Sequence, residues 1–303
     1  MTMAKEIAGG VWPAVLTCLD ENRQPSEENI TKIVELFVNQ KVGGLYVLGS
    51  TGQGPAMSVA LRKHVMELTS KANAGRLPIM THVGAVSPHD SIELAKHAQD
   101  NGADAISSVP PIYFPPNAEI MFNHYNVIAS ATKLPFYPYH LQTPGLPALN
   151  DYVKMLLDIP NIKGMKITDN NLFIVEMVVA YAKGKLQIFS GCDELILPGV
   201  MAGADGAIGS FYNFFAPQVI KARQTLLDGD IEAGRHFMLT FSRIIFELIA
   251  DYGSVYPFFR SAMRLKYDIE IGPGITSTTL IKRQLDDAKV LATFDELDKA
   301  AGL

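Results

Sequence analysis

The sequence predicts an α/β protein, a (β/α)8 barrel with a C-terminal helical extension. Three observations predict it. Short runs rich in Val, Ile and Leu recur at intervals of about 20 to 35 residues. Amphipathic helical stretches fill the intervals. The strand-like runs stop after about residue 215, and only helical patterns follow. Eight strands, each followed by a helix, are the pattern of a closed parallel barrel.

The strand segments, in order, are Gly10–Leu19, Gly44–Gly49, Pro78–Gly84, Ala105–Val109, Pro135–His140, Gly164–Thr168, Gln187–Ser190 and Gly206–Ser210. Helix signals lie between them. Ser26-Glu27-Glu28 opens an apolar-periodic stretch through Ile30, Ile33, Val34 and Phe37. Ser87-Pro88 supplies an N-cap serine with proline at the first helical position, and Gly102 closes that helix. Beyond the last strand, Ala216–Asp228, Ile231–Tyr252 and Ser254–Lys266 read as helices. Gly272-Pro273-Gly274 and a last helical stretch to Leu303 follow. The division is therefore residues 1–215 for the barrel and 216–303 for the last barrel helix and the extension. The competing architecture, an open doubly wound sheet, lacks its signature. No Gly-x-Gly-x-x-Gly follows the first strand and no Walker lysine motif occurs.

Composition narrows the partners. The 303 residues are 48% hydrophobic and 19% charged, enough for one large core or two smaller ones. No run is long and uncharged enough to span a bilayer, and Met1 to Gly10 shows no secretory signal pattern. Cys18 and Cys192, far apart, fit a reducing cytoplasm better than a disulfide framework. The net charge of −5 argues against nucleic acid or an anionic membrane as partner. An anionic substrate would need local hydrogen-bond donors.

In a parallel barrel, chemistry sits at the C-terminal ends of the strands. The second strand ends in Gly49-Ser50-Thr51-Gly52-Gln53-Gly54. Its hydroxyls and consecutive N–H groups can hold a carboxylate, or it is an ordinary βα loop. On the fifth strand, Tyr137 and Tyr139 share a face, as packing residues or with a phenol at a site. On the sixth, Gly164, Lys166 and Thr168 share a face. Lysines are usually solvated, but this one lies between Met165 and Ile167 in a sheet with both faces covered. An amine stripped of water at a strand end is a nucleophile for a carbonyl carbon. The seventh strand ends in Gly191-Cys192-Asp193-Glu194, where the acids can cap a helix or bind a ligand. Small residues from Gly206 to Ser210 leave room at the eighth. The seven histidines form no pattern with metal-ligand spacing.

Taken together, Gly49-Ser50-Thr51-Gly52, Tyr139, Gly164-x-Lys166-x-Thr168, Gly191-x-Asp193-Glu194 and Gly206-Ala207-Ile208-Gly209-Ser210 resemble the N-acetylneuraminate lyase and dihydrodipicolinate synthase superfamily. The motifs fall in the right order at successive strand ends. The resemblance implies a Schiff base between Lys166 and a 2-keto acid such as pyruvate. It implies proton transfer by Tyr139 and carboxylate binding by Ser50 and Thr51, and it puts Lys166, Tyr139 and Ser50 in the catalytic set. It also implies that no cofactor or metal is needed, and that the chain forms a homo-oligomer, a tetramer. Gly209-Ser210-x-Tyr212-Asn213 and the absence of an arginine after Tyr139 bring the lyase branch closer. In that branch Gly191, Asp193, Glu194 and Ser210 would contact the polyol, with Thr168 near the reacting carbon. The alternatives are dihydrodipicolinate synthase, or an aldolase or dehydratase of 2-keto-3-deoxy sugar acids. A non-catalytic ligand-binding barrel is a further rival, which the presence of both Tyr139 and Lys166 disfavours.

Three positions depart from the superfamily pattern. Gln53 stands where glutamate is usual, and Gln142 replaces a proline in a loop that looks shortened. The Pro110-Pro111-Ile112-Tyr113-Phe114 segment has phenylalanine where a second tyrosine often reaches a neighbouring subunit.

Overall fold

Strand alternation sorts the apolar residues into two cores. The computed structural model describes residues 7–114, 117–141, 148–252, 254–280 and 285–303. Its strands are β1 (Gly10–Pro13), β2 (Leu45–Val47), β3 (Ile79–His82), β4 (Ala105–Ser108), β5 (Phe136–Leu141), β6 (Gly164–Thr168), β7 (Gln187–Ser190) and β8 (Gly206–Gly209). All are parallel, in the order β1-β8-β7-β6-β5-β4-β3-β2. A bridge from Ala14 to Tyr46, with the Val15 N–H donating to the Tyr46 carbonyl at 2.8 Å, joins the two ends and closes the barrel.

Outward-facing Val11, Leu45, Val47, Ile106, Phe136 and Ile188 pack under the helices in one continuous core. Inward-facing Trp12, Tyr46, Met80, Ala105, Tyr137, Phe189 and Ile208 form a second core in the lumen. Phe189 sits edge-on to Trp12 at 5.7 Å and to Tyr137 at 6.0 Å between ring centroids. The lumen is thus plugged with side chains, and the plug is the floor of whatever lies above it.

Eleven α-helices lie among the described residues. They are α1 (Glu27–Asn39), α2 (Val59–Asn73), α3 (Pro88–Asp100), α4 (Ala118–Ser130), α5 (Leu149–Leu157), α6 (Leu172–Ala182), α7 (Ile196–Met201), α8 (Tyr212–Leu227), α9 (Ile231–Tyr252), α10 (Tyr256–Tyr267) and α11 (Asp287–Ala301). The caps read from the sequence are in place. The Ser26 hydroxyl accepts the Asn29 N–H, and α1 buries Ile30, Ile33, Val34 and Phe37. The Ser87 hydroxyl accepts the Asp90 N–H with Pro88 next to it, and Gly102 turns the chain at φ +85°.

Two boundaries differ from expectation. The first strand stops at Pro13 rather than running to Leu19. Proline has no N–H for the ladder. Beyond it the chain is held irregularly, with the Leu16 N–H on the Asn213 side chain and the Leu19 N–H on the Ile271 carbonyl. The helix expected from Ala216 begins at Tyr212. Pro217 signals a helix start, but a preceding turn merges with it across Phe215, whose φ of −119° and ψ of 23° are not helical. The division drawn at residue 215 falls on that kink. Across it runs an aromatic cluster: Phe214 meets Phe259 at 4.9 Å and Phe215 meets Phe294 at 4.9 Å. The extension is therefore fastened to the barrel through the segment after β8. No helix among the described residues is long and apolar enough to cross a membrane.

The plug makes a testable statement. Phe189→Ala is expected to destabilise the protein by about 3–5 kcal/mol, read as a lower urea midpoint with secondary structure retained.

Candidate active site

Lys166 lies on the inner face of β6, above the aromatic plug, and only 5% of its surface is exposed. Its Nζ sits 4.2 Å from the centre of the Tyr139 ring and 4.6 Å from that of Tyr46. Two ring faces partly replace the water that an ammonium loses on burial. The rings are themselves edge-on to each other at 6.4 Å. The Tyr46 hydroxyl donates to Ser107 Oγ at 3.1 Å, which fixes that ring from below. Tyr137, two residues before Tyr139, belongs to the plug and donates to Gln187 Oε1 at 2.9 Å.

Register brings the next groups together. Tyr139 pairs directly with Lys166 across β5 and β6. Thr168 Oγ1 donates to the Tyr139 hydroxyl at 3.2 Å, so both hydroxyls sit beside the amine at the mouth. Gly191 follows β7 and roofs this cluster. A Cβ there would lie 2.0 Å from Thr168 Oγ1 and 3.0 Å from Lys166 Cε, so only glycine fits.

The turn after β2 forms a second wall. Leu48 and Gln53 take left-handed φ values of 62° and 57°, uncommon for residues other than glycine. A Cβ at Gly54 would lie 1.9 Å from the Leu48 carbonyl. Within this turn Ser50 is exposed, and Thr51 Oγ1 lies 2.7 Å from Ser210 Oγ. The C-terminal extension grips the same turn. The Tyr256 hydroxyl donates to the Thr51 carbonyl at 2.8 Å. Buried Gln53 accepts from the Ile275 N–H at 2.6 Å and the Thr276 N–H at 3.0 Å.

Asp193 anchors the third wall. Its Oδ2 accepts the Ser210 N–H at 3.0 Å and its Oδ1 the Phe211 N–H at 2.9 Å. Burial pushes this carboxyl up to about 7, while the two N–H bonds and Lys166 pull it down. Glu194 is half-buried beside it and adds like charge.

The matching family model is that of the dihydrodipicolinate synthetase family, over residues 7–265. The chain belongs to that family. An N-acetylneuraminate lyase of Salmonella paratyphi B is 34% identical over 249 residues, 82% of this chain and 83% of its own. A sialic acid aldolase of Ruminococcus gnavus superposes with a TM-score of 0.89 at 28% identity, covering 98% of this chain and 99% of its own. An N-acetylneuraminate lyase of Aliivibrio salmonicida gives 0.86 at 28% identity and covers 99% of each chain.

Against this family background, the structure divides the sequence-derived residues into two groups. Lys166, Tyr139, Thr168 and Gly191 converge on one point. Thr51, Ser210 and Asp193 form a connected chain beside it. Ser50 is exposed at the turn, and the oxygens of Asp193 are turned to backbone N–H groups rather than left free. Tyr113 and Phe114 stand exposed at the end of β4, edge-on to each other at 5.2 Å. Gln142 lies outside the described residues.

Sequence reading missed Tyr46 and Tyr256. For Tyr46 a signal existed, because alternation in Leu45-Tyr46-Val47 points it inward on a barrel strand. Nothing local marks Tyr256, whose bond to Thr51 spans 205 residues.

Asp193→Ala would leave the Ser210 and Phe211 N–H groups unpaired. It is expected to cost about 1–3 kcal/mol of stability in denaturant unfolding. Asp193→Asn should recover only part, having one acceptor oxygen for two donors.

Proposed function

We propose that this chain is an aldolase-type lyase that cleaves a polyhydroxylated 2-keto acid of the N-acetylneuraminate type to pyruvate and an aldehyde sugar. The observation that carries the reading is the buried Lys166 amine between two tyrosine rings, with the Tyr139 and Thr168 hydroxyls beside it. Lyase and sialic acid aldolase relatives support the same reading. So does the description of a second Ruminococcus gnavus structure as a catalytic lysine mutant.

In the proposed scheme the Lys166 amine attacks the keto carbon with its lone pair, and a proton from solvent lets the carbonyl oxygen leave as water, giving a protonated imine. That imine accepts the electron pair of the neighbouring carbon–carbon bond. As the bond breaks, the hydroxyl on its far carbon gives its proton to the Tyr139 oxygen while Tyr139 passes its own proton to the substrate carboxylate, and the far carbon becomes the aldehyde. The resulting enamine takes that proton back at carbon through Tyr139, and water then attacks the imine to release pyruvate, the free lysine and the proton borrowed from solvent. Ser50 and Thr51 hold the substrate carboxylate through hydroxyl and backbone donors, so no arginine is required. Gly191, Glu194 and Ser210 face the polyol, and Thr168 lies near the reacting carbon. No cofactor or metal takes part in the scheme. We further infer a homo-oligomer, a tetramer by family resemblance. Exposed Ile112, Tyr113 and Phe114 support association, although Phe114 brings no hydroxyl to a neighbour.

Borohydride added with pyruvate should leave a reduced three-carbon adduct on the peptide containing Lys166. An adduct confined to another lysine would remove the mechanism. The substrate is tested by kcat/KM for N-acetylneuraminate, for 2-keto-3-deoxygluconate, and for condensation of pyruvate with aspartate semialdehyde. The first is expected to lead. A lead for the shorter acid would keep the chemistry and move the specificity, and a lead for the condensation would overturn the lyase assignment.

Tyr139→Phe should lower kcat by roughly 10²-fold or more, the scale of a positioned proton-transfer group. Tyr137→Phe should affect stability more than kcat, because its hydroxyl bonds Gln187 in the plug. The reverse pattern in steady-state rates would show the wrong tyrosine was chosen.

A further inference from the structure

One pair of ionisable groups at the mouth has no part in the scheme above. His140 directly follows Tyr139 on β5, and Asp169 directly follows Thr168 at the end of β6. Alternation puts His140 on the outer face, 2% exposed, with its ring 6.3 Å from that of Tyr152 on α5. Its Nε2 lies 3.3 Å from Asp169 Oδ2. The other oxygen of Asp169 accepts the Asn171 N–H at 2.9 Å, at the start of α6. His140 Nδ1 is buried with no partner among the described residues.

The geometry is two-sided. The β5–β6 register ends with Leu141 opposite Thr168. On the inner face of that strand end, the Tyr139 and Thr168 hydroxyls meet at 3.2 Å. On the outer face, His140 and Asp169 meet. Burial holds the imidazole below its usual range while Asp169 pulls it back up. A carboxylate oxygen can only accept, so the Nε2–H is the donor of this bond. A buried imidazole and a nearly buried carboxylate are each costly without such a partner. Separation of the two strand ends would strand both.

We propose that His140 and Asp169 are positioning residues, whose bond on the outer face of β5 and β6 keeps the Tyr139 and Thr168 hydroxyls in register on the inner face. The proposal rests on the assignment of Tyr139 as proton carrier. It separates two steps of the reaction. Imine formation depends on Lys166, which lies buried on β6 and keeps its contact with the Tyr46 ring when the Tyr139 hydroxyl shifts. Carbon–carbon cleavage depends on where the Tyr139 hydroxyl points, and displacement by about 1 Å is enough to slow such a step severely.

The test compares His140→Leu, which fills the buried space without a donor, with His140→Gln, whose amide nitrogen stands near the place of Nε2. Each is read by kcat for N-acetylneuraminate cleavage and by the yield of borohydride-reduced pyruvate adduct on Lys166. His140→Leu is expected to lower kcat on the order of tenfold with adduct yield unchanged, and His140→Gln to restore kcat to within about twofold. The adduct certifies that the barrel is intact. Should His140→Leu not fold, Asp169→Ala breaks the same bond at a less buried residue and is expected to show the same split. The double variant should be no worse than the poorer single one. Unchanged kcat, or adduct and kcat falling together, or no rescue by glutamine, each overturns the positioning role. A wild type that forms no adduct refutes the imine reading instead, and this proposal falls with it.

Discussion

Everything at the mouth of this barrel is arranged around one contact, the Lys166 amine against the faces of Tyr46 and Tyr139. An ammonium taken out of water needs a substitute environment, and two aromatic faces supply part of one without locking the amine in a salt bridge. The arrangement requires a floor. Trp12, Tyr137 and Phe189 pack together in the lumen below the amine. It also requires a roof that comes close, which Gly191 provides by having no side chain. Plug, rings and glycine thus serve one demand, an amine that is supported below and reachable above.

The helical extension matters to the site because it fixes the turn after β2. That turn carries two left-handed residues, a conformation that persists only where surrounding contacts hold it. Tyr256 and the Ile275–Thr276 backbone supply those contacts through Thr51 and Gln53. The family's usual glutamate could accept the same N–H bonds. A glutamine does so without a negative charge beside the turn that, in the proposed function, receives the substrate carboxylate. The departure at Gln53 therefore preserves the architecture and alters its electrostatics.

The sequence was legible where period and position suffice. Seven of the eight strands lie within their expected segments and β5 runs one residue beyond, to Leu141. Two-residue alternation gives Tyr137 and Tyr139 one face of their strand and Lys166 and Thr168 one face of theirs, and the register then sets Tyr139 beside Lys166. Serine caps at Ser26 and Ser87 are local signals and read correctly. Residues 14–19 are as apolar as a strand, so sequence alone extends the first strand to Leu19. Their apolarity comes from burial beneath Asn213 and the extension. The Tyr256–Thr51 bond and the His140–Asp169 bond join residues that no local pattern relates, so spacing gives the face a residue occupies but not its partner across the fold.

The acidic pair after β7 shows how that limit bears on chemistry. In sequence, Asp193 and Glu194 are two equivalent candidates for binding hydroxyls. In space they divide. The carboxylate of Asp193 is spent on the Ser210 and Phe211 N–H groups at the start of the segment leading into α8. Those bonds set the position of Ser210, and Ser210 in turn meets Thr51. Asp193 therefore ties the end of β8 to the turn after β2. In the proposed lyase, Glu194, half-buried beside it, is the carboxylate that accepts sugar hydroxyls. A site that hydrogen-bonds hydroxyls through a partly buried carboxylate discriminates against substrates lacking them, since the acid is then left unpaired. Under the proposed function, selectivity for a polyol would therefore be carried by Glu194, on a wall whose integrity Asp193 maintains through its two N–H bonds.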